Sequence, residues 1–289
     1  MTRAAWPVCA AVALAAGCAR AVPDPARALV LRGDANRAYD DKDYRRCAEL
    51  YGQAARADAR FPAEDDYGAA CCLARAGDRD GAFARLDAAL DHGFRDPVQL
   101  ARDDDLASLH DDPRWRLAAA RTKEAHDHAY ASANPELAAL YREDQDARSR
   151  GPDGIDWSVV AKDDAARRVR VREILADGGA KVALDYYHAA MVFQHGDKVT
   201  DYQMAHELAL RAASLDSGDR QALWLAAAAK DRELMNLGKP QLYGTQFRKV
   251  DGRWVLYEVN PTVTDAERAE WNVPPLAEAR RRAEAMNRR

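Results

Sequence analysis

The residues best placed to do chemistry are His188, His195, Asp197, Asp201 and His206. A histidine among carboxylates can ligate a metal or act as a general base. Asp185 and His188 are three apart, and His188 and His195 seven apart, which puts all three on one face of a helix. In this reading His195 is the base or ligand, and Asp197 orients it. No metal ligand set is complete, because His206-Glu207 has no second histidine four places on. A second group is Lys239, Gln241, Tyr243, Thr245 and Gln246, with Asp231-Arg232 on the preceding helix. On a strand, Tyr243 and Thr245 point to one face and Gln246 to the other. Such side chains can line a pocket for a sugar, peptide or nucleotide. No nucleophile is evident. The chain has no Gly-x-Ser-x-Gly elbow and no glycine-rich phosphate loop ending in Lys-Ser/Thr. We therefore expect no bound cofactor.

The same residues have structural readings. His195 precedes Gly196 at a helix end, where a histidine complements the helix dipole. Asp197 and Asp201 can cap the next helix. Asp231 and Arg232 can form an ion pair that holds a hairpin. Tyr243 and Trp254 can pack across two strands.

The elements that must position these groups are mostly helices. The chain has 289 residues, 48% of them hydrophobic, and a net charge of -4. That composition excludes wholesale disorder and argues against nucleic acid as a partner. Abundant Ala and Arg favour helix. In the first half helices are predicted over 25–40, 43–58, 63–76, 79–92, 96–102, 103–110 and 112–131. In the second half Asn134-Pro135 caps a helix that Gly151-Pro152-Asp153-Gly154 breaks, with Trp157 anchoring the loop. Further helices start at Asp163-Asp164, Val182, Asp201 and Asp219. Then Asp251-Gly252 joins two β-prone runs, 243–250 and 253–259, which is a strong hairpin signal. A basic helix from Leu276 to Asn287 closes the chain.

The first half repeats itself. Ala35, Cys47, Tyr51 and Ala54 recur 35 residues later as Ala70, Ala82, Leu86 and Ala89. Small residues at these places let two antiparallel helices approach closely, and the bulky one fills the groove beside them. This pattern resembles the tetratricopeptide repeat, a helix-turn-helix unit that stacks into a solenoid. The stretch Leu90–Trp115 looks like the segment that closes such arrays, with Asp103–Asp105 at a helix start. The second half resembles an uncharacterised C-terminal domain of secreted bacterial proteins. Gln194-His195-Gly196-Asp197, Asp231-Arg232, Gly238-Lys239-Pro240-Gln241, Tyr243-Gly244-Thr245-Gln246 and Pro274-Pro275-Leu276 carry that likeness. It implies no activity.

The N-terminus reads as an address. Arg3, an apolar run from Val8 to Ala16 and the sequence Leu14-Ala15-Ala16-Gly17-Cys18 resemble a bacterial lipoprotein signal, which implies acylation at Cys18. The absence of Asp at Ala19 favours the outer membrane, facing the periplasm. Of the cysteines beyond Cys9 and Cys18, Cys47 could bridge to Cys71 or Cys72 if repeat packing brings them together. Three small buried thiols are the favoured expectation.

The expected organisation is a signal peptide (1–17), a tether (18–26), a tetratricopeptide-like solenoid (27–131) and a helical domain with one β-hairpin (134–287). The expected function is a lipid-anchored cell-envelope scaffold that binds a protein or peptide partner through its repeats. The alternative is a hydrolase or metal-dependent enzyme around His195, with Lys239 and Gln246 holding substrate.

Overall fold

A computed structural model of the chain describes residues 22–149 and 154–288. The expected signal peptide, the Cys18 anchor and the Gly151-Pro152-Asp153 break lie outside the described residues.

Six α-helices build the first half: α1 (Pro25–Asp40), α2 (Tyr44–Ala57), α3 (Pro62–Arg75), α4 (Arg79–Asp91), α5 (Pro97–Arg102) and α6 (Pro113–Ala131). A 3-10 helix, Asp104–Leu109, sits between the last two. Five of the six α-helices open with an Asp whose side chain caps the first turn: Asp24, Asp43, Asp78, Asp96 and Asp112. Consecutive helices α1 to α4 pack side by side in a repeat-like way. Of the eight repeat positions, all but Tyr51 are fully buried. Their small side chains make a close-packed core in which Ala35, Cys47 and Ala69 touch. Cys47 and Cys72 form a disulfide between α2 and α3, and Cys71 stays a buried thiol. This corrects the expectation of three free thiols. The repeat brings Cys72 of α3 onto Cys47 of α2.

The second half holds α7 (Pro135–Ser149), α8 (Trp157–Ala176), α9 (Ala183–Gln194), α10 (Val199–Leu215) and α11 (Arg220–Asn236). Its core joins Leu137, Val171, Phe193, Leu208 and Leu225. The helix predicted to start at Asp163 starts instead at Trp157. Asp156 is the cap, accepting from the Ser158 and Val159 amides. Trp157 therefore anchors no loop; it is 57% exposed on the first turn of α8. The hairpin is confirmed but shorter than predicted. Strand β1 (Phe247–Val250) pairs antiparallel with β2 (Arg253–Leu256). Asp251 and Gly252 both have positive φ, as a tight two-residue turn requires. Two short helices follow, α12 (Asp265–Glu270) and α13 (Leu276–Met286).

The two halves touch at several points. Helix α1 packs on α12. Arg60 reaches Glu270 at 3.2 Å and Arg95 reaches Asp216 at 2.7 Å. Arg220, in the first turn of α11, pairs with Glu64 of α3. No described helix is long and apolar enough to cross a membrane.

Candidate functional site

His195 is the residue that ends α9. Its Nδ1 lies 2.8 Å from Oδ2 of Asp144, a fully buried carboxylate on α7. A carboxylate there keeps a proton on Nδ1 and leaves Nε2 as the acceptor. Asp144 also accepts from Arg148 at 3.0 Å and from Gln145 at 2.8 Å. The residue that orients His195 is therefore Asp144, not Asp197. Asp197 has its side chain 71% exposed and faces Arg168 at 3.4 Å.

The loop around His195 is tightly held. The Gln194 carbonyl accepts from Arg232, the His195 carbonyl from Arg168 and the Gly196 carbonyl from the Tyr202 hydroxyl. These three donors satisfy the open carbonyls that a helix end leaves. A side chain on Gly196 would collide with Asp201. The run Gln194-His195-Gly196-Asp197 thus forms a fixed helix end that presents one imidazole to Asp144. His188 does not join this group. It is buried, stacked on Tyr141 at 4.4 Å, and burial pushes its pKa down to about 4. His206 is also apart, with its Nδ1 against the Ala226 carbonyl.

The second predicted group proves to be a folded loop rather than a pocket lining. Tyr243, Thr245 and Gln246 precede β1 instead of lying on it. Asp231 is fully buried and accepts four hydrogen bonds, from the Leu242, Tyr243 and Thr245 amides and the Thr245 hydroxyl. Burial pushes its pKa upward, and the four donors oppose that. It forms no ion pair with Arg232. Gln241, also fully buried, holds Gln246 and Tyr257 through its amide. Gln246 accepts from Arg232 and donates to the Ala228 carbonyl. Lys239 is exposed beyond the end of α11, where its amide closes the helix on Leu234. Tyr243 packs on Trp271 at 5.3 Å, and Lys249 is the cross-strand partner of Trp254. The structure thus joins Arg232 and Gln246 to the His195 loop and leaves Lys239 outside it.

Open space is found elsewhere. A cleft of about 850 Å³ runs between α1 and the second half, where Tyr187, Trp224 and Pro274 face Leu29 and Asn36. A second cavity of about 420 Å³ continues along α3 among Tyr39, Tyr67, Phe94 and Asp105. Tyr51, Glu64 and Arg220 line both. Arg32 projects from α1 and holds both oxygens of Asp65 at 2.8 Å, while its Nη1 is buried without a partner. Beyond this, Asp105 accepts from the Tyr39 hydroxyl, and Asp103 accepts from Tyr67. Cys71, Asp103 and Asp105 place three possible ligand atoms within 4.8 Å of one another. The tyrosine hydrogen bonds already occupy both carboxylates.

Residues 172–287 match a family of unknown function, DUF6624. The likeness read from the sequence spans 134–287, a wider range than this match. The DUF6624 match includes His195, Arg232 and the Asp231-capped loop. Asp144, which orients His195, and the whole repeat half lie outside it. No curated protein matches the chain.

Two residues that matter here were not singled out in the sequence. Asp144 sits in an acidic, polar helix and looks like a surface residue. Arg220 follows a capping Asp219 and looks like an exposed first turn. Neither carries a local signal, because each gains its role from a distant element.

Proposed function

We propose that the chain is a lipid-anchored cell-envelope protein that binds a protein or peptide segment in the groove between its repeats and its second half. One observation carries the reading. The inner side of α1 and α3 borders an open groove lined by tyrosines, Trp224 and amides, large enough for several side chains. Aromatic walls with a few polar groups suit an extended peptide, since they give apolar area at low entropy cost. Export and acylation at Cys18 belong to the same proposal and rest on the Leu14–Cys18 run. The test uses the purified full chain against a displayed peptide library. Selected peptides should bind the wild type and lose at least about tenfold in affinity with Trp224→Ala or Tyr51→Ala. Undiminished binding by both variants would place the site elsewhere and end this reading.

A second reading, a hydrolase or metal-dependent enzyme, is favoured by one observation. A buried carboxylate on Nδ1 is how a histidine base is oriented. Among the described residues, no Ser, Thr or Cys side chain hydrogen-bonds His195, so its nucleophile would have to be water.

A further inference from the structure

Arg220 is an odd residue to find in the groove. It belongs to the second half, yet its guanidinium lies across the inner face of the repeats. It pairs with Glu64 and stands 3.7 Å from Asp65. It lines both cavities, as Tyr51 does. Burial, then the nearby charge of Arg32, push its pKa down to about 10.

The charges around it are unequal in what they would lose. Asp65 keeps Arg32 on both oxygens. Glu64 has no other cation among the described ion pairs. Withdrawal of Arg220 would leave Glu64 facing a cavity walled by Tyr51, Tyr67 and Phe94, with Asp105 at its far end. Rings and carboxylates together attract a cation. The unpartnered Nη1 of Arg32 argues for an anion, but the charge of Arg32 is already met by both oxygens of Asp65.

We propose that Arg220 is an internal occupant of the repeat groove, and that the groove's ligand is an extended peptide whose arginine or lysine side chain takes its place against Glu64. This rests on the peptide-binding reading above and adds the charge of the ligand. Binding then has two parts. The peptide cation gains the site that Arg220 leaves, and the two halves exchange one guanidinium contact for another. Removing Arg220 should therefore help the ligand.

The experiment titrates the full chain with fluorescein-labelled hexapeptide pools that differ only at a central arginine, glutamine or glutamate. Wild type should bind the arginine pool at least about tenfold tighter than the glutamate pool. Arg220→Gln should bind the arginine pool about tenfold tighter still. Glu64→Gln should lose the preference among pools. Circular dichroism confirms that each variant is folded. If Arg220→Gln fails to fold, the Glu64→Gln arm decides alone. Equal binding of all three pools by wild type would overturn this inference and leave the peptide reading standing. So would a folded Arg220→Gln with unchanged or weaker affinity for the arginine pool, or a retained preference in Glu64→Gln. No binding of any pool by any of the proteins would overturn both.

Discussion

The His195 loop and the groove are built on opposite principles. Around His195 the backbone carbonyls and Asp144 are closely matched, although Gln194 Oε1 has no partner among the described residues: three carbonyls have three donors, and Asp144 serves Arg148, Gln145 and His195. Such a net fixes one geometry and is costly to break. In the groove the polar groups are loosely matched. Arg32 has a spare donor, and Arg220 reaches its partner from the other half of the chain. Space lies on both sides of that pair. A matched net holds shape, whereas a loosely matched cleft has polar capacity left for something else. The site residues named from the sequence fall mostly in or near the first region, while the expected partner binding falls to the repeats. The two cavities described lie in the second region.

The largest expected effect tests the matched net. Asp144→Ala would leave His195 and Gln145 without their buried acceptor, while Arg148 keeps Asp164, and should cost about 3 kcal/mol in urea unfolding. If it cost less than about 1 kcal/mol, the contrast between the two regions would fail. The next test concerns His188 of α9. The fold holds His188 neutral, with pKa about 4 against an ordinary value near 6.5. Asp185, Arg142 and the rings of Tyr141 and Tyr130 surround it. The unfolded chain takes the proton first as pH falls. The stabilisation is therefore complete above pH about 6.5 and is lost between about 6.5 and 4. It amounts to about 3 kcal/mol. His188→Phe should keep the stack on Tyr141 and flatten that part of the stability profile relative to wild type. Identical profiles would show that His188 charges freely. The smallest effect sharpens the groove. A methyl on Gly68 would meet the Tyr51 ring at 2.9–3.1 Å. Gly68→Ala should cost about 1–2 kcal/mol and tilt the ring into the cleft. Unchanged stability, with unchanged Tyr51 resonances, would mean that the ring is not held there.

Much of the fold was legible because its signals are local. The recurrence of Ala35, Cys47 and Ala54 at Ala70, Ala82 and Ala89 marks where helices must meet closely. Asp251-Gly252 marks a turn that few other pairs can make. Where two local signals competed, the reading slipped: Asp163-Asp164 looks like a helix start, yet Asp156 is the cap and Asp164 pairs with Arg148 and Arg167. Helix α12 also has a local signal, since Thr264 and Glu267 form a capping box. The candidate site was less legible. Asp144 meets His195 across 51 residues. Arg220 gains its meaning only when α11 docks against α3. A polar residue that caps a loop, such as Asp231 or Gln241, has the same composition signal as one that binds a ligand.

The contact between Arg60 and Glu270 joins residues 210 apart in the chain. Loop entropy grows only with the logarithm of length, so closing this span costs about 1.6 kcal/mol more than closing a neighbouring helical hairpin. The cost in equilibrium is small, but the cost in time is large, because distant contacts wait for both partners to be formed. Contacts within the repeats can thus form before that span closes, and the docking of the second half, which brings Tyr187, Trp224 and Arg220, completes the groove. Before that docking Glu64 has no guanidinium. The ion pair that closes over Glu64 is thus among the contacts that must wait for the longest spans of the chain.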